Sequence, residues 1–411
     1  MTGSGGEHFV GAYRAFAANG ASGAPPWLKE MRERAIARFA EVGFPTTRLE
    51  QWRFTSVQPI SETRFELQRA GWEIDPVPAG VTVSTLSAMV AAAPDFLQAY
   101  LGRYADVATS PFTALSTAFL ADGLVIRVAA RAIVTDPVRV RCRVPAATHP
   151  MTHPRLLIVV EREAQAKIVE AYDGDAPGVS FTNSVTEVAL EEGAQLELCR
   201  EQREGLRSNH VAASHFHQAR DSRLVFTTIA LGAGLVRHDI HGVLDGSNAY
   251  LILNGLSVLA GRQHVDHHTT IVHAQPHCES HEYFNGVFDG ESHGVFNGRI
   301  IVRPGAQRTD SKQTNNNLLL SQSARADSQP QLEIYADDVK CTHGSTVGPL
   351  DPTALFYLRS RGLGAEEARG LLTYGFGAEI LDRIAVPGAR ARLDREIRAR
   401  LGVPEVAGST P

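Results

Sequence analysis

The chain has 411 residues, with 40 Lys and Arg against 45 Asp and Glu, a formal charge of −5 with histidine neutral. That length suits two or three domains, or one long repeat unit with appendages, and 43% hydrophobic with 21% charged residues excludes a largely disordered chain. The mild acidity gives no global attraction for nucleic acid or anionic lipid, so neither is expected as a partner.

The segment Pro26 to Ala40 puts Leu28, Met31, Ala35 and Phe39 on one helical face, with Lys29, Glu30, Arg32, Glu33 and Arg34 mostly elsewhere. Pro26 suits a first turn, and Gly43 with Pro45 gives a stop. Residues 1–104 read as a helical N-terminal region. Met1 to Phe16 has no continuous apolar run of the kind a secretory leader carries, and no stretch is apolar for the roughly 18 residues that a bilayer span requires. A cytoplasmic location is the expectation.

From Gly123 the chain changes to short runs rich in Val, Ile, Leu and Thr, among them Gly123 to Val128, Val138 to Val144, Leu156 to Val160 and Thr186 to Leu190. Turn signals separate such runs at Glu192-Gly193, Asp221-Ser222, Asp245-Gly246, Asp289-Gly290 and Pro304-Gly305. The absence of alternating helices argues against βαβ units. An echo relates Phe284-Asn285-Gly286 to Phe296-Asn297-Gly298, and a looser one Asp245-Gly246 to Asp289-Gly290. Irregularly spaced strand-turn units fit a β-solenoid over residues 105–350, with a sandwich or barrel as the rival. In a solenoid, Asn315, Asn316 and Asn317 are candidates for amide ladders at a rung corner.

Residues 351–411 read as helical. Asp351 is an N-cap before Pro352, Leu355, Phe356 and Leu358 form an apolar face, and Gly362 ends the helix. A second helix is expected over Glu366 to Leu381 and a third over Ala391 to Leu401, with a frayed tail to Pro411.

Phosphate-loop, zinc-helix and nucleophile-elbow signatures are missing, so ATP hydrolysis would have to come from a partner. Cys142, Cys199, Cys278 and Cys341 are widely spaced, with no C-x-x-C pair to suggest a redox motif or zinc clip, and no disulfide framework is expected. Two groups could carry metal chemistry. His264, His267, His268, His273, His277 and His281, with Cys278 among them, offer imidazole and thiolate donors. Strand alternation divides them, however, with His264 and His268 on one face and His267 on the other. In Cys341-Thr342-His343 both donors point to the same side of an extended segment; a buried thiol beside a hydrogen-bonded histidine is the plainer alternative. Asp337 and Asp338 could add oxygen ligands or simply form an acidic turn.

The run Arg308-Thr309-Asp310-Ser311-Lys312-Gln313-Thr314-Asn315-Asn316-Asn317 and the later Asp337-Asp338-Val339-Lys340-Cys341-Thr342-His343-Gly344 resemble the SufB/SufD family. Leu355-Phe356-Tyr357-Leu358-Arg359-Ser360-Arg361-Gly362 resembles its SufD branch, and the likeness reaches back through His264 to His273 and to Pro45 through Arg53. The resemblance implies a mainly β fold: a central right-handed parallel β-helix (β-solenoid) flanked by N-terminal and C-terminal helical regions. It implies a noncatalytic scaffold subunit of the SufBCD complex for iron–sulfur cluster assembly. Such a subunit pairs with SufB through the β-helix regions and engages the ATPase SufC through the C-terminal helices, here about Asp351 to Leu381. It also implies that His343, with Cys341 beside it, faces a nascent cluster or iron shared with SufB, with no cofactor held stably by the chain alone. The alternative is a self-contained metal-dependent β-solenoid enzyme using the His264 to His281 cluster.

Overall fold

The computed structural model describes residues 5–19, 23–121 and 123–404. The tail expected to fray lies outside these residues. Strands alternate between two sheets, each turn of chain giving one strand to each, and together they coil into a parallel β-solenoid of about eight turns. One sheet runs from Val81–Thr85 through Leu124–Val128, Arg155–Val160, Ser180–Leu190, Ser208–Gln218, Leu235–Leu244, His264–His273 and His293–Val302 to Arg325–Ile334. The other runs from Gly71–Ile74 through Val138–Arg143, Gln165–Asp173, Gln195–Gln202, Arg223–Ala230, Tyr250–Leu259, Glu279–Phe288 and Thr309–Leu319 to Val339–Gly348. The mainly β fold with helices toward both termini agrees with the sequence reading.

The core is built by register. In the first sheet Ile126, Ile158, Val188, Phe216, Gly242, Ile271, Ile300 and Leu332 are successive partners across the rungs. No single rung could bury such residues; stacking removes them from water together, with Leu332 on the last rung only partly covered. Gly242 interrupts the ladder because Leu251 occupies the space: a Cβ there would lie 2.8 Å from its Cδ2. At the corners, Glu163, Gly193, Asp221 and Gly290 adopt positive φ, where Gly costs least and Asp is tolerated.

Several expectations need correction. On helix Pro26–Val42 the buried face carries Leu28, Arg32, Ala35 and Phe39, with Arg32 in the place expected for Met31. Strands Glu66–Leu67, Gly71–Ile74 and Val81–Thr85 lie inside the segment read as helical, and helix Pro111–Ala118 lies inside the segment read as solenoid. The two Phe-Asn-Gly echoes belong to opposite sheets and so are not rung repeats; Phe284 and Phe296 meet across the lumen at 4.9 Å between ring centroids. Asn315 to Asn317 sit within strand Thr309–Leu319, not at a corner. Their amides are used individually, Asn317 donating to Asn315 Oδ1 at 2.7 Å and Asn315 to the Phe284 carbonyl at 3.1 Å.

Helices cover the outer faces. Helices Gly5–Asn19, Pro26–Val42 and Pro111–Ala118 bury Phe9, Phe39 and Phe112 with Trp52 against the first sheet, where Arg237 lies 4.2 Å over the Trp52 ring. Helices Ala365–Leu381 and Ala389–Arg400 pack Ile380, Leu381, Leu393 and Ile397 on Val169, Cys199, Ile229 and Leu256 of the second sheet. Asn285 Nδ2 donates to the Phe376 carbonyl at 3.0 Å and Arg203 pairs with Glu396 at 2.6 Å, which fixes the docking. Helix Pro352–Ser360 is capped by Asp351 and followed by Gly362 at φ 96°, as expected, yet it buries none of its residues. None of the described helices is long and apolar enough to cross a membrane.

Candidate functional site

The interior of the second sheet changes chemistry along its length. One inward column runs Val138, Ile168, Leu198, Phe226 and Leu253, then continues as Glu282, Gln313 and His343. The neighbouring column runs Ala166, Leu196, Leu224 and Leu251, then Ser280, Ser311 and Cys341. Side chains at matched positions of parallel strands point the same way. The two columns therefore turn polar in the last three rungs and end on His343 and Cys341.

Those two residues lie on strand Val339–Gly348, which has a strand partner on one side only, as does Arg325–Ile334 in the other sheet. The last rung is an open end. His343 is exposed, whereas Cys341 is half-buried against the interior core. Burial, with the Asp310 carboxylate adding to it, pushes the Cys341 thiol above its ordinary value. The alternation expected for the Cys-x-His pair is thus observed, and the thiol's environment favours its protonated form.

Beneath this end the polar groups are joined. Gln313 Nε2 donates to Glu282 Oε1 at 3.0 Å, and both side chains are fully buried. Gln313 fits because Gly298 lies beside it, where a Cβ would come within 2.1 Å of the amide nitrogen. Among the described residues Glu282 Oε2 and Gln313 Oε1 make no hydrogen bond of ordinary geometry, although the nearby Thr269 hydroxyl and the Gln313 amide both favour the Glu282 charge. Desolvation raises the Glu282 carboxyl to about 7, so near neutrality it holds a proton much of the time. Under Cys341, the Ser280 and Ser311 hydroxyls lie 3.0 Å apart, and His273 Nε2 is 2.8 Å from Ser280 Oγ. Burial lowers His273 to about 4, leaving it neutral.

The six-histidine stretch does not converge. His264 and His268 face outward from the first sheet, His267 and His273 face inward, His277 occupies a corner at φ 61°, and His281 belongs to the second sheet. Each of the outward pair has its own partner: His268 lies 3.0 Å from Asp266, and His264 Nε2 lies 2.9 Å from the Thr55 hydroxyl, which donates to Asp266, as does Arg237 at 2.6 Å. Among the described residues no three His, Cys, Asp or Glu side chains are grouped to hold a metal ion. Asp337 and Asp338 form an exposed bend between the last two strands, with Asp338 3.7 Å from Arg308.

The sequence reading missed Glu282 and Gln313 as parts of this site. Alternation offered a signal, since Ser280, Glu282 and Phe284 share a face, but which rung lies above them depends on corner lengths. It also missed Asp266, placed two residues from both His264 and His268.

Residues 143–376 match the family described as SUF system FeS cluster assembly, SufBD core domain, and residues 5–77 and 70–140 match the SufBD protein N-terminal region. An iron–sulfur cluster assembly SufBD family protein of Synechocystis sp. is 35% identical over 333 residues, 79% of this chain and 73% of the relative. The iron–sulfur cluster assembly protein SufD of Escherichia coli is 34% identical over 58% of this chain and 56% of its own length. SufD of Bacillus subtilis is 24% identical over 90% of this chain and 93% of its own. The chain belongs to the SufBD family of iron–sulfur cluster assembly proteins, with SufD proteins among its relatives.

Proposed function

We propose that the chain is a noncatalytic scaffold subunit of a SufBCD-type complex, pairing through its open last rung with SufB and contributing His343, with Cys341 beside it, to a nascent cluster at the junction. One observation carries this reading: both inward columns turn polar in the last three rungs and terminate on the Cys-x-His pair at the uncovered end. An edge strand exposes backbone donors and acceptors that a second strand can pair with, and Ile334, Tyr335 and Val347 add exposed apolar surface there. Two donors do not complete a coordination sphere, which suits a site whose remaining ligands come from the partner and whose cargo has to leave. The exposed imidazole is the more available donor; the thiol is drawn into the core.

Engagement of SufC is assigned to the C-terminal helices. Helix Pro352–Ser360 has no buried residue, and Phe356 and Tyr357 are 74% and 56% exposed, an apolar pair suited to a partner groove. Helices Ala365–Leu381 and Ala389–Arg400 are pinned to the second sheet, so movement imposed on them by nucleotide-dependent closure of SufC would reach the solenoid. For such coupling, nucleotide must favour one arrangement of the assembly over another. All four cysteines are free thiols, which suits a reducing cytoplasm. The test is the iron and sulfide content of complex purified with His343→Ala. The reading expects a loss of at least about tenfold, since even outer-sphere partners of a metal ligand are worth that much; undiminished content would remove His343 from the role.

A further inference from the structure

The end of helix Pro26–Val42, the turn at Glu50–Trp52 and the segment entering helix Pro111–Ala118 enclose, with the outer face of the first sheet, a cleft of about 590 Å³. Small-molecule sites usually measure about 300–1,000 Å³ and favour such junctions between regions. The floor takes Asp239 and His241 from strand Leu235–Leu244, Thr270 from His264–His273 and Arg299 from His293–Val302. His241, Thr270 and Arg299 are successive partners in register, so they form one outward row, and Asp239 shares that face two residues before His241.

These polar groups are only partly used. Asp239 is 8% exposed, and its Oδ1 accepts from Arg237 at 2.8 Å. Oδ2 has no hydrogen-bond partner among the described residues and keeps access to solvent. Arg237 also serves Asp266 at 2.6 Å, and His268 lies 3.0 Å from Asp266, so Asp239 has no cation of its own. His241 stacks on His215 with 5.1 Å between ring centroids, and neither it nor Thr270 makes a side-chain hydrogen bond among the described residues. Burial lowers His241, with Arg299, His268 and Arg237 acting the same way and Asp239 against them, which leaves a neutral ring able to donate at one nitrogen and accept at the other. Arg299 lies 3.5 Å from Glu333, a half-exposed pair of the kind that yields readily to a better-placed anion. Above the floor, Val42, Pro45 and Leu49 supply an apolar wall.

Asp239 and Arg299 stand two strands and two residues apart, roughly 12 Å between Cα atoms at the usual strand spacing and rise. Their side chains close part of that distance. A single amino acid, with both charges on one carbon, is too short for what remains, whereas one further residue adds about 3.3–3.6 Å. We propose that this cleft binds a short zwitterionic peptide of dipeptide length with apolar side chains, its ammonium on Asp239, its peptide group on His241 and Thr270, and its carboxylate on Arg299. A guanidinium matches a planar carboxylate, and both charged ends then make charge-assisted hydrogen bonds. The site lies outside the solenoid, apart from the inward columns that end on His343 and Cys341, and it does not depend on the cluster-assembly reading.

The test titrates leucyl-leucine into the full-length protein by calorimetry, beside its N-acetyl form, its C-terminal amide and free leucine. Saturable one-to-one binding of leucyl-leucine is expected, weaker by at least about tenfold when either end is blocked, the worth of a hydrogen bond to a charged group. Arg299→Gln, at a half-exposed position, is expected to remove the preference for the free carboxylate and to keep the preference for the free ammonium. Asp239→Asn should do the reverse; should it fail to fold, Arg299→Gln alone decides. No saturable binding at millimolar concentration, equal binding of the blocked forms, leucine bound as tightly as leucyl-leucine, or an unchanged carboxylate preference in Arg299→Gln would each overturn the proposal.

Discussion

The two ends of the solenoid meet the same physical problem and treat it differently. At the N-terminal end each sheet stops with a short antiparallel strand, Gly71–Ile74 on Val138–Arg143 and Val81–Thr85 on Leu124–Val128, drawn from the segment before the first rung. Beneath those strands the lumen is filled by Val128, Val138, Ile126 and Ile158. At the C-terminal end the last strands are parallel like their neighbours, and beneath them Ser280, Glu282, Ser311 and Gln313 line the second sheet's wall of the lumen, facing Ile271 and Ile300 of the first. An end that is capped and apolar serves stability. An end that is uncovered and polar along one wall is suited to meeting another chain.

Four perturbations test the contrast, from the largest effect to the smallest. Ile158→Ala, at 0% exposure beneath the capped end, is expected to cost about 2–5 kcal/mol in urea unfolding, the range for emptying a buried aliphatic site. Glu282→Gln is expected to stabilise the chain by on the order of 3 kcal/mol at pH 8 and to do little at pH 4. The sign follows from the raised carboxyl. Wild-type stability from this group is whole below its ordinary 4.5 and is lost as pH rises to about 7, because folding then holds the charge in a dry site. Buried histidines act oppositely: His267 and His273, lowered to about 4, give stability that is whole above 6.5 and lost as pH falls toward 4. Removing Glu282 should therefore steepen the loss of stability on acidification between about pH 6.5 and 4.5.

Phe356→Ala with Tyr357→Ala is expected to weaken binding to SufC by about tenfold or more, measured by calorimetry, without shifting thermal unfolding. The smallest effect is reserved for Val347→Ala at the open end. It is expected to change the isolated chain's stability by less than about 0.5 kcal/mol, since the residue is 47% exposed and no rung lies above it. A loss there as large as that of Ile158→Ala would erase the distinction between the ends.

Much of the fold is legible in local chemistry. The helix after Asp351 follows from a cap, a proline and a glycine, and the corners at Gly193, Asp221 and Gly290 follow from residues that tolerate positive φ. The shared face of Cys341 and His343 follows from alternation alone. The strands at 66–67, 71–74 and 81–85 are too short to show a period, and their partners lie far along the chain. Arg32 looks like a surface residue until Leu120, 88 residues away, supplies an acceptor. The Glu282, Gln313 and His343 column is invisible for the same reason: cross-rung neighbours are set by register, and corners of unequal length hide it.

Affinity for SufB tests the central claim most directly, comparing the wild-type chain with Tyr335→Arg plus Val347→Arg. Both side chains are exposed on the last turn, at 61% and 47%, so folding should be unaffected. The account predicts binding at least about a hundredfold weaker, as charges are forced into a strand-to-strand contact. Unchanged affinity in a folded double variant would contradict it.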